Sequence, residues 1–552
     1  MMNVKLLLVS SLEKVFPDEE PRAFDGRVEG LLNESVSLQA AWRTMDELPM
    51  REYVRLHIVS PIEKHLHVRR VRYVPVLFPT FPDADDNYLR REPGLYPDAL
   101  TEVEFDRFRT WSNHWEAAWI TVEADEDFPA GEYPIEIILE DMDGNRLASQ
   151  TAVYRRIDAR LPAQRLIRTQ WFHCDALCDS YRTEMFSEDF WTACENFVRT
   201  AVKRGINCIL TPIHTPPLDT RVGGERRTCQ LVDVEVKDDG SYAFGFERLH
   251  RWVEMCRRAG VEYYEMAHLF TQWGAEHAPK IVARVNGEEK RIFGWETDAT
   301  GEDYVRFLQS YLPALTAELD RMGIRDRVLF HISDEPGLAH LDNYMKARCA
   351  VKPYLEGFTI MDALSDINLY KSGAVEHPVP ASNHIRPFLE ANIPNLWTYY
   401  CISQYKDVSN AFVAMPSART RILGVQLYKY RIAGFLQWGY NFYNAQFSEY
   451  TVNPFLTTDG DGFSPAGDCY IVYPGKNLMP IETIRLMSMD EAMNDLRALT
   501  LLETLKGRDF TMKLVEDGIE PIEFDRYPIA ASYLTGLRRR VNAEIEKAAA
   551  CN

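Results

Sequence analysis

From about residue 159 onward, short strand-like runs alternate with long amphipathic helical segments, and this alternation limits the chain's fold more than any other feature. Parallel neighbours cannot be joined by tight turns, so each strand–helix–strand step implies a crossover and a parallel sheet covered by helices. In the first helical segment Phe190, Cys194, Phe197, Val198 and Ala201 share one face, Ser187 stands where an N-cap belongs, and Gly205 where the helix must stop. Further on, Tyr304, Leu308, Tyr311, Leu315 and Leu319 repeat at the same spacing. Strand candidates fall at 166–174, 207–212, 261–268, 327–332, 356–361, 395–401, 433–439 and 469–473. That is the complement of a (β/α)8 barrel of the TIM type, and a last helix at 481–505 would close the ring.

The residues before this region read differently. Runs at 53–59, 67–77, 115–122 and 133–139 are β-rich and divided by Pro, Gly and Asp turns, with few helical patterns between them. The turn residues Pro129, Gly131 and Pro134, the apolar run that follows and a second turn at 141–144 predict an immunoglobulin-like β-sandwich. The chain divides into a sandwich at 1–158, a barrel at 159–505 and a helical C-terminal tail at 506–552 that ends in the charged stretch 536–550. At 552 residues it is long enough for such a multidomain arrangement. Residues 229–246 alternate polar and apolar around Asp238, Asp239 and Gly240, which predicts a hairpin inserted after the second barrel strand.

Charge narrows the partners. Lys and Arg total 62 against 82 Asp and Glu, a net charge of −20, which repels a phosphate backbone and argues against nucleic acid. The opening Met-Met-Asn-Val-Lys-Leu-Leu-Leu run is too short for the apolar core of a signal peptide and leads into Glu13 and Lys14, so it reads as a first strand. No apolar stretch approaches ~18 residues, so no membrane span is expected. All 10 cysteines lie at or after Cys174 with irregular spacing. Several, including Cys194, Cys208, Cys256 and Cys401, sit inside apolar segments, which predicts reduced core thiols in a cytoplasmic protein. Cys174 and Cys178 lack the second Cys/His pair that a zinc site needs.

Barrels of this type carry their chemistry where strands emerge at their C-terminal ends. The fourth strand, in Val328-Leu-Phe-His-Ile-Ser-Asp-Glu-Pro-Gly337, delivers His331, Asp334 and Glu335 to that rim. An exposed acidic turn is the competing reading of Asp334 and Glu335. Adjacent side chains on a strand point to opposite faces, so the pair can share one substrate only if the chain bends, for which the Pro336-Gly337 step offers a means. Two neighbouring carboxyls resist double ionisation, which favours one of them as a general acid.

His173 and Asp175 leave the first strand in an H-x-D arrangement that could hold a metal, with His214, His268 and His331 as further ligands. Hydrogen-bonded or substrate-contacting histidines explain the same pattern, so no metal and no cofactor are assigned. Trp171, Trp273, Trp397, Tyr399, Tyr400, Trp438 and Tyr440 lie near strand ends, where flat amphipathic rings suit a sugar. No nucleophile elbow, Walker A loop, dinucleotide fingerprint or HExxH helix is present.

Taken together, Trp171-Phe-His-Cys-Asp175, Leu210-Thr-Pro, Thr215-Pro-Pro-Leu-Asp219, His268-Leu-Phe-Thr-Gln-Trp-Gly274, Ser333-Asp-Glu-Pro336, Gln437-Trp-Gly-Tyr-Asn441 and Gly467-Asp-Cys-Tyr-Ile-Val-Tyr-Pro-Gly475 resemble glycoside hydrolase family 123. They also resemble the wider domain-of-unknown-function family 4091 that contains its catalytic domain. The likeness runs from about residue 166 to 501. It implies a β-N-acetylgalactosaminidase or related β-hexosaminidase acting on a terminal 2-acetamido sugar by substrate-assisted retaining catalysis. Glu335 would then be the acid/base, and Asp334 would orient the acetamido group that attacks the anomeric carbon. His173, Asp175, His214, Trp273, His331, Tyr400, Trp438, Tyr440 and Asn441 are the candidate substrate contacts. Alternatives are a retaining glycosidase whose nucleophile is a second carboxylate such as Glu265 or Asp362, a metal-dependent barrel hydrolase, and a barrel that binds carbohydrate without cutting it.

Overall fold

The computed structural model of the chain describes residues 2–48, 50–123 and 128–549. Two five-stranded sheets form the N-terminal part. One runs Val4–Ser10, Val36–Thr44, Glu116–Val122, Leu66–Val76, Gly94–Glu102 and is antiparallel throughout. The other runs Arg27–Leu31, Arg146–Ile157, Gly131–Glu140, Glu52–Val59, Phe108–Thr110, with a parallel contact only at its first pair. Alternate residues of each turn inward, so that Leu6, Leu8, Leu38 and Ile120 share one apolar core with Ile58, Ile135, Ile137 and Tyr154. The outer face of the first sheet is covered too, because Val71, Leu100, Ala117 and Trp119 pack on Ile484 and Met487 of the long helix Ile484–Lys506. Glu116–Val122 is therefore buried on both faces and shows no alternation.

Eight parallel strands follow. In sequence they are Ile167–Gln170, Cys208–Thr211, Tyr263–Met266, Val328–Phe330, Thr359–Leu364, His377–Pro380, Trp397–Tyr400 and Gly434–Gln437. The eighth pairs with the first over four residues, while the sixth and seventh meet through a single bridge from Ala381 to Tyr399, so the barrel is nearly closed. Helical segments follow each strand, including Glu188–Lys203, Glu247–Ala259, Glu302–Arg321 and the closing Ile484–Lys506. Ser187 caps the first of these by accepting from the Phe190 N–H, and Gly205 takes φ +79° beyond its end. Trp171, Leu210, Leu329, Met361, Val379, Trp397 and Leu436 fill the barrel interior. Gly434 is required there, since a Cβ at that position would stand 2.0 Å from the Trp397 indole.

Two strand assignments change. The run 469–473 is not a barrel strand: Tyr473–Pro474 instead forms a small ribbon with Pro480–Ile481. The missing strand is His377–Pro380, whose two prolines lack the N–H groups a ladder uses and hide it from any β pattern. The hairpin expected within 229–246 forms as Asp233–Val236 and Tyr242–Gly245, and it joins a second hairpin, Ile281–Val285 with Glu288–Phe293, in one four-stranded sheet.

Sandwich and barrel are locked by buried ion pairs. Asp98 of strand Gly94–Glu102 receives two hydrogen bonds from the Arg485 guanidinium, at 2.8 and 2.9 Å, with both residues almost wholly buried. Tyr473 donates to the same carboxylate at 2.8 Å. In the tail, helix Ala531–Ala549 sends Arg538 to Glu34 of the sandwich and Asp495 of the barrel helix. Ala550, the last residue of the predicted charged stretch, lies outside the described residues.

Candidate active site

The fourth strand ends at Phe330, and the chain then carries Asp334 and Glu335, both half-buried, across the barrel mouth. The bend expected from Pro336 and Gly337 occurs one residue earlier, with Glu335 itself at φ +45°. A left-handed residue costs roughly 1–2 kcal/mol and breaks the two-residue alternation of the strand. Trp273 N–H donates to the Asp334 carbonyl at 2.8 Å, and Ser333 Oγ donates to the Thr271 carbonyl at 2.8 Å, so the third-strand loop is stapled to this turn. Tyr399, from the end of the seventh strand, donates its hydroxyl to Glu335 Oε1. Burial, then the charges of Glu335 and Asp468, with a smaller effect of Asp334, raise the Cys401 thiol.

Three residues before Asp334, His331 belongs to a fully buried network. His331 Nε2 meets Glu265 Oε1 at 2.6 Å and its Nδ1 meets Asp362 Oδ1 at 3.3 Å. Burial works against the imidazolium, but hydrogen bonds and charges from Asp362 and Glu265 prevail and raise His331 to about 10. Glu265 also accepts from Thr169 Oγ1 and, at 2.8 Å, from Trp171 Nε1; Asp362 accepts from the Ile332 N–H at 3.0 Å and from the Tyr344 hydroxyl. Burial and the neighbouring Glu335 charge raise the Asp334 carboxyl well above its usual range.

The other predicted contacts separate into groups. Trp273 is 42% exposed at the rim, edge-on to Phe447 with ring centroids 5.9 Å apart. Trp438 is half-buried and donates to Asp468 Oδ2 at 3.0 Å. His173 and Asp175 are held by Arg226, which pairs with both Asp175 oxygens at 3.0 and 2.9 Å and reaches His173 Nδ1 at 3.2 Å. Asn441 clamps the His173 main chain through its amide oxygen and nitrogen, at 2.9 and 3.0 Å. His214 is buried, with Nε2 2.8 Å from the His268 carbonyl. These four residues are buried and brace one another's backbone and side chains at the rim.

Two of the predicted tyrosines make contacts elsewhere. Tyr400 turns outward onto Phe435 and toward Met489 Sδ at 3.5 Å, and Tyr440 donates to the Phe197 carbonyl at 2.9 Å in the surrounding helix layer. Strand alternation explains the first case, since Tyr399 and Tyr400 must face opposite ways and it is Tyr399 that faces the carboxylates. Asp219 and Asp468 were not among the predicted contacts, yet each keeps one buried oxygen, Asp219 Oδ2 and Asp468 Oδ1, with no partner. Burial raises Asp219 to about 6 and Asp468 to about 7. Both lie in sequence motifs already singled out, and unpaired buried acceptors of this kind suit the hydroxyls of a bound ligand.

For a metal, the H-x-D residues are committed to Arg226. Among the described residues, His268, His331 and Asp362 bring one ligand atom each within 4.8 Å of one another. The carboxylate and His331 are already spent on internal hydrogen bonds, so this set does not fit a metal.

The buried histidines predict a pH profile. Burial lowers His173 and His214 to about 4, and burial with the His331 and His214 charges lowers His268 further. Their neutral forms add stability that is present above the unfolded value of about 6.5 and is lost as pH falls through 4. His331 has the opposite sign: its contribution is complete below about 6.5 and is lost as pH rises toward 10. Urea unfolding midpoints should therefore peak near pH 6–7 and fall on both sides. In His331→Gln the alkaline fall should shrink; an unchanged alkaline limb would refute the assignment.

Adjacent carboxyls at the exit of the fourth strand of a parallel barrel, with an exposed tryptophan on the loop after the third, suit the hydrolysis of a glycosidic bond. The family model "Glycoside hydrolase 123, catalytic domain" matches residues 171–502, more than half the chain. The chain belongs to glycoside hydrolase family 123. A solved family 123 glycoside hydrolase from Clostridium perfringens, described for glycolipid glycan hydrolysis, superposes with a TM-score of 0.75 at 12% identity, covering 99% of this chain and 98% of that one. A Parabacteroides merdae β-glucuronidase aligns over 85% of this chain and 51% of its own, at 10% identity, with a TM-score of only 0.28. No curated protein matches the sequence. No helix among the described residues is long and apolar enough to cross a membrane.

Proposed function

We propose that this family 123 enzyme is an exo-acting β-N-acetylgalactosaminidase, or a close β-hexosaminidase, built as an immunoglobulin-like sandwich, a (β/α)8 barrel and a helical tail. It works by substrate-assisted retention. The observation that carries this reading is the adjacent pair itself: Asp334 and Glu335 follow the end of the fourth strand, and Glu335 is held by Tyr399. A separate protein nucleophile would have to be another carboxylate at the mouth about 5 Å from Glu335. Glu265 and Asp362, the nearest sequence candidates, are both fully buried and saturated with internal hydrogen bonds. In this reading, which follows the family resemblance, the substrate's own acetamido oxygen is the nucleophile.

An acetamido N–H donated to Asp334 favours the ionised form of that carboxyl, and Glu335 serves as the acid. Glu335 protonates the glycosidic oxygen as the acetamido oxygen attacks the anomeric carbon, and Asp334 stabilises the positive charge on the resulting ring. Glu335 then takes a proton from water, which opens the ring with net retention. Trp273 and Trp438 provide faces for the sugar, and the free oxygens of Asp219 and Asp468 accept its hydroxyls. That the Clostridium perfringens relative is described for glycolipid glycan hydrolysis supports a glycoconjugate substrate.

The test uses a matched pair of nitrophenyl glycosides. The N-acetyl-β-galactosaminide should be cleaved, and the β-galactoside lacking the acetamide should be essentially inert. An N-acetylhexosamine thiazoline should inhibit. In Asp334→Asn, kcat/KM should fall about 10²–10³-fold. Equal turnover of both glycosides, or a trapped covalent glycosyl-enzyme, would sink the proposal.

A further inference from the structure

Two cysteine sulfurs lie in contact where the rim is braced. Cys174 opens helix Cys174–Tyr181 directly after the first strand, and Cys229 lies in the segment that follows the second. Their Sγ atoms are 2.7 Å apart, and the two residues are 2% and 1% exposed. This separation is within about 0.7 Å of a disulfide bond. The backbones on both sides are already anchored, because Arg226, three residues before Cys229, grips Asp175, the neighbour of Cys174, and Cys229 N–H donates to Thr215 Oγ1 at 3.1 Å. Cys178, four residues further on, turns to Met185 Sδ at 4.0 Å instead.

We infer that Cys174 and Cys229 are a modification site at which the enzyme takes an intramolecular disulfide. The oxidant is a small disulfide of the glutathione class. During folding, before burial closes over the pair, one cysteine, as thiolate, attacks it and forms a mixed disulfide, releasing one small thiol. The second cysteine displaces the other small thiol as the Sγ–Sγ bond closes. Both electrons and both protons of the two cysteine thiols end on the two departing thiols. The product ties the exit of the first strand to the segment carrying Arg226, and so fixes the wall of the mouth in which Asp219 lies. Burial shields the bond from exchange with external thiols once it has formed.

The test refolds the full chain from urea into a glutathione buffer poised oxidising or reducing, and keeps the fraction that regains native circular dichroism. Acid quenching, alkylation with N-ethylmaleimide, proteolysis and mass spectrometry follow. In the oxidising buffer two fewer of the 10 cysteines should be alkylated, and a peptide joining Cys174 to Cys229 should appear. Reductant should abolish that peptide, and Cys229→Ser should never form it. Alkylation of all 10 in the oxidising buffer, or a cross-link between other cysteines in its place, would overturn the inference.

Discussion

Glu335→Gln should lower kcat/KM on an N-acetyl-β-galactosaminide with a sugar or simple alcohol leaving group by about 10³-fold, close to 4 kcal/mol of transition-state stabilisation. On a dinitrophenyl glycoside the loss should be far smaller. The contrast follows from the role: a dinitrophenolate departs without a proton, whereas an alkoxide needs Glu335 to supply one. The amide keeps the shape of the side chain and can still meet the Tyr399 hydroxyl, so the comparison isolates proton transfer. Parallel leaving-group series on wild type and variant provide the measurement. A variant that loses the same factor on every leaving group would remove Glu335 from the acid role.

Asp98→Ala should cost about 3–5 kcal/mol of unfolding free energy, read by urea denaturation at pH 7. The mutation leaves the Arg485 guanidinium buried without its carboxylate. Arg485 keeps contacts to the Gly467 and Tyr470 carbonyls, at 2.7 and 2.9 Å, but these do not neutralise it. Replacing both partners by apolar residues, as in Asp98→Leu with Arg485→Met, should recover most of the loss, because the penalty belongs to the orphaned charge. A single-variant loss below about 1 kcal/mol would show that the pair is not as dry as its burial indicates. Since Asp98 is in the sandwich and Arg485 in the last barrel helix, the two parts should unfold in one transition in wild type.

What could be read from the sequence follows the range of the interactions involved. Helix Glu188–Lys203 is declared by residues within its own length, from Ser187 to Gly205, and it forms where the pattern places it. Strand His377–Pro380 has no such local signature, because its pairing along Thr359–Leu364 is set by the barrel and not by its four residues. In the site, the position of Asp334 and Glu335 at the fourth strand exit follows from counting strands. The partner that occupies His173 and Asp175 does not, since Arg226 arrives from 51 residues away. Nor does periodicity distinguish Tyr399 from Tyr400; only the register of the seventh strand decides which ring faces the carboxylates. Asp219 and Asp468 could have been suspected as acids within glycine- and proline-rich loops, but their unpaired oxygens are visible only in three dimensions.

The left-handed backbone at Glu335 sets function against comfort at a single codon. Glycine is the residue that conformation prefers, and carboxylate is the group that the proposed acid/base role demands. Selection for heat resistance alone would therefore favour erasing the acid/base, so a thermostable descendant of this enzyme must gain its stability elsewhere and be screened for turnover at every round.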